Sequence, residues 1–431
     1  MRRIHDAFVR LSVTARETIM AAATILWRPR EGAGLMAHAR GHPDMTPSKP
    51  VPEIYRRLGV RPIIHASGTT TRYGGSILRA EALEAMREAS TTLVNMDELN
   101  EAAGAAIARM LGAEAAFVTA GASAGLILQA AACIAGADPA KITRLPDTRG
   151  MRNEIIIQRA HRFAYDQAYR VAGGVLVEIG LARRTQPFEL EEAISERTAA
   201  VTYLVSPFTS PPGILSLEDV LAIAHKRGVP VIVDAASMLP PRENLTKFVR
   251  LGADLVSFSG GKGIRGPQST GILAGRRDLV RAAALNASPN QALGRAAKTS
   301  KEEIAGLVTA LECFMAEDEK AEMKRYHDVC ATVAEALADI PGLRVVVEQD
   351  AANRVIPHAV VYFTPDWVGP SGHAVQVALA QGAPHIYVQQ GAHQGGYVDE
   401  IAVDPINLQP GDEAIVAARL REELTRVSRA S

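Results

Sequence analysis

From residue 115 onward, short, largely apolar runs alternate with longer stretches of mixed polarity. The apolar runs are 115–119, 154–157, 175–178, 199–205, 229–234, 255–258 and 271–274. Between them, 123–134, 163–172, 190–197, 217–227 and 245–251 carry helical patterning. Strands that are apolar along their whole length are buried on both faces, and intervening helices make the crossovers parallel. The pattern predicts an α/β domain around a mostly parallel sheet, with ligands at the carboxyl ends of its strands.

Before this region, 51–58 opens the regular structure. Ile63-Ile-His-Ala reads as a strand that gives way to a polar glycine loop ending at Gly75. Helices are expected over 80–89 and 97–110. After Pro289 the pattern changes. Ser300 and Glu303 have capping-box spacing, and Ile304, Leu307, Val308, Leu311 and Phe314 then repeat at helical period. A second helix over 323–337, strands at 343–347 and 359–363, and a last helix over 413–426 predict a smaller C-terminal α+β domain. The domains are expected at 51–295, including the segment 51–75, and at 296–431. Residues 1–50 form an extension with an amphipathic helical pattern over 4–27 and a Gly/His/Pro/Ser-rich stretch over 30–50. It reads as an arm on a partner subunit, a targeting-like segment, or an upstream extension with Met36 or Met45 as the start.

Composition narrows the function classes. The 431 residues include 47 basic and 47 acidic side chains, a balance that does not suggest nucleic acid or an anionic membrane as partner. No apolar run approaches the roughly 20 residues needed to span a bilayer. Cys133, Cys313 and Cys330 are scattered without metal-ligand spacing; they read as small apolar residues in a reducing cytoplasm, with no metal site.

Four features fall at strand ends. Ser257-Phe-Ser-Gly-Gly-Lys262 puts a lysine on a glycine turn, where a desolvated amine can act as nucleophile or Schiff base and an exposed one would be merely a surface charge. Thr119-Ala-Gly-Ala-Ser-Ala-Gly125 offers backbone N–H groups at a helix start, either an anion cradle or a tight turn. Asp234 ends the apolar strand Val229-Pro-Val-Ile-Val and needs a partner there, a cationic ring nitrogen or a core hydrogen bond. His161, just past 154–157, can stack on an aromatic group or serve the core. Cradle, stacking residue, acid and lysine in this order match what pyridoxal phosphate requires. Gly261-Lys-Gly263-Ile-Arg-Gly266 also satisfies GxGxxG, but it runs into Pro267 and a strand, which excludes a dinucleotide site.

With His65-Ala-Ser-Gly-Thr, Arg72-x-Gly-Gly75, Gln158-Arg-Ala-His161, Gly266-Pro-Gln, Gly294-Arg295-x-x-Lys298 and Asn407-Leu-Gln-Pro-Gly-Asp412, these motifs extend over 51–426. Over that length the chain resembles the selenocysteine-synthase-like pyridoxal-phosphate enzymes, most of all their D-glucosaminate-6-phosphate ammonia-lyase branch. The resemblance implies the aspartate-aminotransferase (type I) fold, with a seven-stranded large-domain sheet and a homo-oligomer whose active sites lie between subunits. It implies Lys262 as the Schiff-base lysine, Asp234 on the ring nitrogen and His161 against the ring. Gly121, Ala122, Ser123 and Ser259 would surround the phosphate, with Ser237 and Ser257 in the same cofactor set. Arg72, Arg295 and Lys298 are expected to face a small anionic amino substrate, and Arg265, three residues past the lysine, either binds it too or is a solvated charge. His65 stands where relatives usually carry Asn.

The activity this implies is elimination of ammonia from an amino sugar acid or a related β-hydroxy amino acid. Alternatives are an amino-acid racemase or epimerase, a selenium transferase, and a scaffold that has lost catalysis.

Overall fold

The computed structural model describes residues 51–206, 211–350, 354–391 and 399–426. The expectations for 1–50 lie outside the described residues. In chain order the strands are β1 (Ile63–Ala66), β2 (Ala115–Thr119), β3 (Glu154–Gln158), β4 (Val175–Ile179), β5 (Thr198–Leu204), β6 (Val231–Asp234), β7 (Leu255–Ser259), β8 (Gly271–Gly275), β9 (Leu343–Asp350), β10 (Arg354–Phe363), β11 (His385–Gln390) and β12 (Glu400–Val403).

Seven of them build one sheet in the order β2-β8-β7-β6-β5-β3-β4. The pairs from β7 through β4 are parallel, and β8 runs antiparallel to both its neighbours. The two faces follow from side-chain alternation along each strand. Ile156, Val201, Val233, Val256 and Phe258 point into one apolar cluster. Their chain neighbours Ile155, Ala200, Ile232 and Leu255 point into the other, under helices Gly121–Ala135 and Arg277–Asn286. Each fully buried Ile or Leu here stabilises the fold by roughly 1.5–3 kcal/mol, so both layers are needed. Helix Gly121–Ala135 is apolar nearly all round because it sits inside the structure, with Ala130, Ala131 and Ala132 buried.

The second sheet has the order β1-β11-β12-β10-β9, with β1 and β11 parallel and the other pairs antiparallel. The packing of two segments bears on the expected domains. The segment 51–75 gives its strand to this smaller sheet, because Ile64 and Ala66 pack with Val329, Val333 and Ile386. Helix Lys301–Ala316 belongs by packing to the large domain, since Ile304, Leu307, Leu311 and Phe314 join Phe258 and Ile264. The core of the small domain begins with helix Glu319–Leu337.

Other differences are local. The helix expected over 190–197 runs from Pro187 to Ala193, because proline suits the first helical position and Glu189 caps the Gln186 backbone. Helix 163–172 divides into a 3-10 turn at Ala164–Asp166 and a short helix at Gln167–Val171. Cys330 is buried as expected, whereas Cys133 and Cys313 are half-buried. Among the described residues no helix is long and apolar enough to cross a membrane, and no group of His, Cys, Asp or Glu is arranged to hold a metal.

Candidate active site

The sheet brings the carboxyl ends of β3, β6 and β7 to one edge, and Lys262 stands there. After β7 the chain makes a closed turn: the Gly260 N–H donates to the Thr270 carbonyl (2.9 Å), the Gly266 N–H to the Gly260 carbonyl (2.9 Å) and the Arg265 N–H to the Lys262 carbonyl (2.9 Å). Within it the Lys262 Nζ donates to the Ser237 Oγ at 2.5 Å. Ser237 follows β6 by three residues, so neighbouring parallel strands supply both partners. Burial lowers the pKa of the amine, and the charge of Asp234 acts in the opposite sense. Asp234 is itself buried, and its Oδ1 accepts the Ala236 N–H at 3.0 Å. Desolvation raises its pKa, against that hydrogen bond and the Lys262 charge. Lysine and carboxylate are thus held in one desolvated place, each perturbed from its ordinary state.

The expected anion cradle falls at the start of helix Gly121–Ala135. Its N-cap residue is Ala120, which has no side chain to satisfy the first N–H groups, and Gly121 enters with φ +77°. Gly271 of β8 lies directly against this turn. A Cβ on Gly271 would fall 2.5 Å from the Gly121 carbonyl carbon and 2.7 Å from the Ala122 nitrogen. Ser259 pairs across from Gly271 and is half-buried, beside the cradle. Ser257 is fully buried and donates to the Ala122 carbonyl at 3.3 Å, which places it underneath as a support and not at the mouth. Ser123 is exposed.

His161 ends a 3-10 turn after β3 and is 1% exposed. Its Nδ1 accepts the Leu204 N–H at 3.4 Å, its ring meets Tyr203 edge-on at 4.5 Å, and its Nε2 is buried without a partner. Desolvation pushes its pKa down from 6.5 to about 4. The unfolded chain therefore takes up the proton first as pH falls. Stability carried by the neutral ring is complete above pH 6.5 and is lost between there and about 4. The loss amounts to roughly 3 kcal/mol. Cofactor-free His161→Phe is expected to lack this part of the acid slope in denaturant titrations at stepped pH. An unchanged slope would remove the assignment of a buried neutral imidazole.

The four basic candidates do not converge on one place. Arg72 is exposed on the 3-10 turn Thr71–Tyr73, in the loop that follows β1. That loop is clamped by Asn407, whose Nδ2 donates to the carbonyls of Gly68 (2.6 Å) and Gly75 (2.8 Å). Below it, His65 meets Tyr73 edge-on at 5.3 Å, and Tyr73 stacks on Tyr387 at 4.1 Å. Arg295 and Lys298 are exposed and share a cleft with Asn100, Thr119 and Ser288, which reaches the cradle strand through Thr119. Arg265 stands apart from them. Its Nε donates to the Ile77 carbonyl at 3.1 Å, and it lines a cavity behind the lysine turn with Arg242, Phe314, Glu317 and Tyr326. Asn100 and Arg79 were not anticipated, since only their tertiary partners mark them out.

An amine, a buried acid, an imidazole with an orphaned nitrogen and an uncapped helix start together fit pyridoxal phosphate. Comparison with known proteins bears on which enzymes share this arrangement. A D-glucosaminate-6-phosphate ammonia lyase from Salmonella typhimurium (strain 14028s / SGSC 2262) is 35% identical over 376 residues, 86% of this chain and 98% of the relative. A 5'-C-glycyluridine monooxygenase-decarboxylase from Streptomyces sp is 34% identical over 86% of this chain and 92% of the relative. The solved structure of a D-glucosaminate-6-phosphate ammonia-lyase superposes with a TM-score of 0.75 at 34% identity, over 86% of this chain and 98% of that one. A serine palmitoyltransferase structure, at 14% identity and a TM-score of 0.54 over 84% of this chain and 87% of that one, shares the type I fold. The family described as SelA: L-seryl-tRNA selenium transferase matches residues 63–337, from β1 to the end of helix Glu319–Leu337. With its lysine turn, acid and cradle all inside that span, the chain belongs to this SelA family.

Proposed function

We propose that the chain is a pyridoxal-phosphate-dependent ammonia-lyase acting on an amino sugar acid or a related β-hydroxy amino acid. The observation that carries this reading is Lys262, bonded to Ser237 and under the charge of Asp234, in a chain that spans a lyase relative almost end to end. The phosphate would sit on the free N–H groups of Gly121, Ala122 and Ser123, with Ser259 beside them. Asp234 would serve the ring nitrogen, His161 the ring, and Lys262 the covalent attachment. When bound, this cofactor supplies an electron sink for negative charge at the substrate α-carbon.

The chain's own residues do the rest. Burial favours the uncharged form of Lys262, the form whose Nζ can take the α-proton. The same proton, returned from Nζ, can leave with the β-hydroxyl as water. The released enamine tautomerises, regains water at the α-carbon and expels ammonia, so the net products are a 2-keto-3-deoxy acid and ammonia. Arg72, Arg295 and Lys298, exposed and able to turn toward a ligand, would hold its anionic ends. Arg265 is assigned to support of the lysine turn, because its Nε bonds the Ile77 carbonyl and desolvation lowers its pKa.

The same reading takes the chain as a homo-oligomer of the cytoplasm. Support comes from the unpartnered apolar side chains Ile54, Tyr55, Leu58 and Val60 and from three cysteines outside any disulfide. The 34% identity to a monooxygenase-decarboxylase favours a second reading, in which the same α-carbon meets dioxygen.

One experiment separates these. The cofactor-loaded chain is incubated with D-glucosaminate 6-phosphate and a panel of D- and L-β-hydroxy amino acids. Keto acid, ammonia, α-deuterium exchange and dioxygen are followed together. Keto acid and ammonia in equal amounts without dioxygen uptake are expected. Inversion without keto acid would establish a racemase, and dioxygen uptake with carbon dioxide release would establish the oxygenase reading. Turnover confined to seryl-tRNA would return the chain to selenium transfer.

A further inference from the structure

The segment Ile77-Leu-Arg79 is laced to the turn that carries Lys262. The Arg79 N–H donates to the Arg265 carbonyl at 3.0 Å, and the Arg79 Nε donates to the Ile264 carbonyl at 2.9 Å across 185 residues of sequence. In return the Arg265 Nε donates to the Ile77 carbonyl at 3.1 Å. The turn needs this lacing. Arg265 has φ +61° and is the one side-chain-bearing residue with positive φ among the described residues. Such a backbone persists only where its surroundings over-determine it.

Arg79 is in turn braced. Its Nη1 and Nη2 make a two-point pair with Glu317 at 3.1 and 3.2 Å, and the Arg79 side chain is almost wholly buried. Glu317 lies where helix Lys301–Ala316 ends and helix Glu319–Leu337 is about to begin. Arg242 secures the same corner, donating to the Glu317 carbonyl at 3.1 Å and, through its backbone N–H, to Glu319 at 2.8 Å. A planar fork held on both sides is the geometry that arginine provides and lysine does not.

We propose that the Arg79 side chain is a positioning group for Lys262: braced by Glu317, its guanidinium holds the Ile264 carbonyl, beside the backbone bond from its own N–H to the Arg265 carbonyl, so that the turn presents the amine to Ser237. This rests on Lys262 being the reacting lysine. Loss of the lacing lets the turn relax and water reach the amine, while the cradle at Gly121 and the acid at Asp234 stay where they are.

The test reads the lysine itself, in the full-length cofactor-free chain. Trace acetylation with acetic anhydride at stepped pH, followed by mass spectrometry, gives the reactivity midpoint of Lys262, with an added lysine peptide as reference. Asp234 is the charged group acting on the amine, and it raises the pKa that burial lowers. The wild-type midpoint is therefore expected below that of an ordinary lysine. In Arg79→Met it moves up toward the ordinary value as burial is lost. In Arg79→Lys, which can reach one carbonyl but cannot fork onto Glu317, it moves part of the way. Arg87→Met, which removes an exposed pair with Glu84 on the same helix, leaves it in place. With cofactor and D-glucosaminate 6-phosphate, Arg79→Met is expected to lose about 10–100-fold in kcat with KM unchanged.

A folded Arg79→Met with the wild-type midpoint and kcat overturns the proposal. Should that variant not fold, Glu317→Gln, which takes the charge and one of the two acceptors from the brace but leaves both carbonyl bonds, is expected to shift the midpoint the same way by less, and no shift there overturns it equally. A wild-type Lys262 with an ordinary midpoint would instead refute the reading of the lysine.

Discussion

Lys262→Ala is expected to abolish turnover, with a loss of at least about 10⁴-fold, because one side chain serves as both covalent anchor and proton carrier. The visible absorbance of the lysine-bound cofactor should disappear with it. The substitution should leave the fold intact. The side chain is half-buried, its hydrogen-bond partner Ser237 is exposed, and the turn around it is closed by backbone bonds that alanine keeps. A melting temperature near that of the wild type, beside a lost absorbance band, is the informative result. Cofactor can remain on the Gly121–Ser123 cradle without covalent attachment, so binding and attachment are read separately. Binding is read by equilibrium dialysis, and attachment by borohydride reduction and mass spectrometry. Cofactor that borohydride still traps in Lys262→Ala would place the anchor on another lysine and refute the assignment.

The candidate site residues legible in the sequence are those whose meaning is local. Lys262 and Asp234 end apolar runs, and a charge at such a place has few structural explanations. The cradle was legible as small residues between a strand and a helix. Gly271 was not recognisable as part of it, because its role depends on β8 pairing antiparallel with β2 and lying against Gly121. Ser257 shares its motif with Lys262, yet side-chain alternation along β7 turns it inward beneath Ala122. Arg265 could be a substrate ligand or a solvated charge on sequence grounds. Only its backbone angle and its bond to Ile77 give it a supporting place. Arg79 and Asn407 act through carbonyls 185 and 339 residues away, contacts that no periodicity reports. The packing of helix Lys301–Ala316 was not legible for a related reason. The pattern of helix Lys301–Ala316 shows that it has an apolar face, not which of two cores that face meets.

Asp234→Asn should separate stability from function. The isosteric amide can still accept the Ala236 N–H at Oδ1, so the turn after β6 is preserved, but it cannot carry the negative charge. In the cofactor-free chain that charge is a burden. Desolvation raises the folded-state pKa of Asp234 above 3.8, so the folded state holds its proton to higher pH than the unfolded one. The stability associated with the protonated acid is complete below the unfolded value and is lost as pH rises through the folded one. Asp234→Asn removes that loss, and the cofactor-free variant should melt at a higher temperature than the wild type at neutral pH. Lys262 should respond in the opposite sense. Asp234 is what raises its pKa against burial, so without the carboxylate the reactivity midpoint of the amine should fall further below that of an ordinary lysine. Catalysis should suffer despite both changes. A ring nitrogen that loses its anionic partner is a poorer electron sink, and α-deuterium exchange should slow by about 10²–10³-fold, the usual cost of deleting one preorganised electrostatic partner. Exchange at the wild-type rate in Asp234→Asn would show that the carboxylate serves the core and not the cofactor, and a lower melting temperature would show that Asp234 is better satisfied in the folded chain than its burial implies.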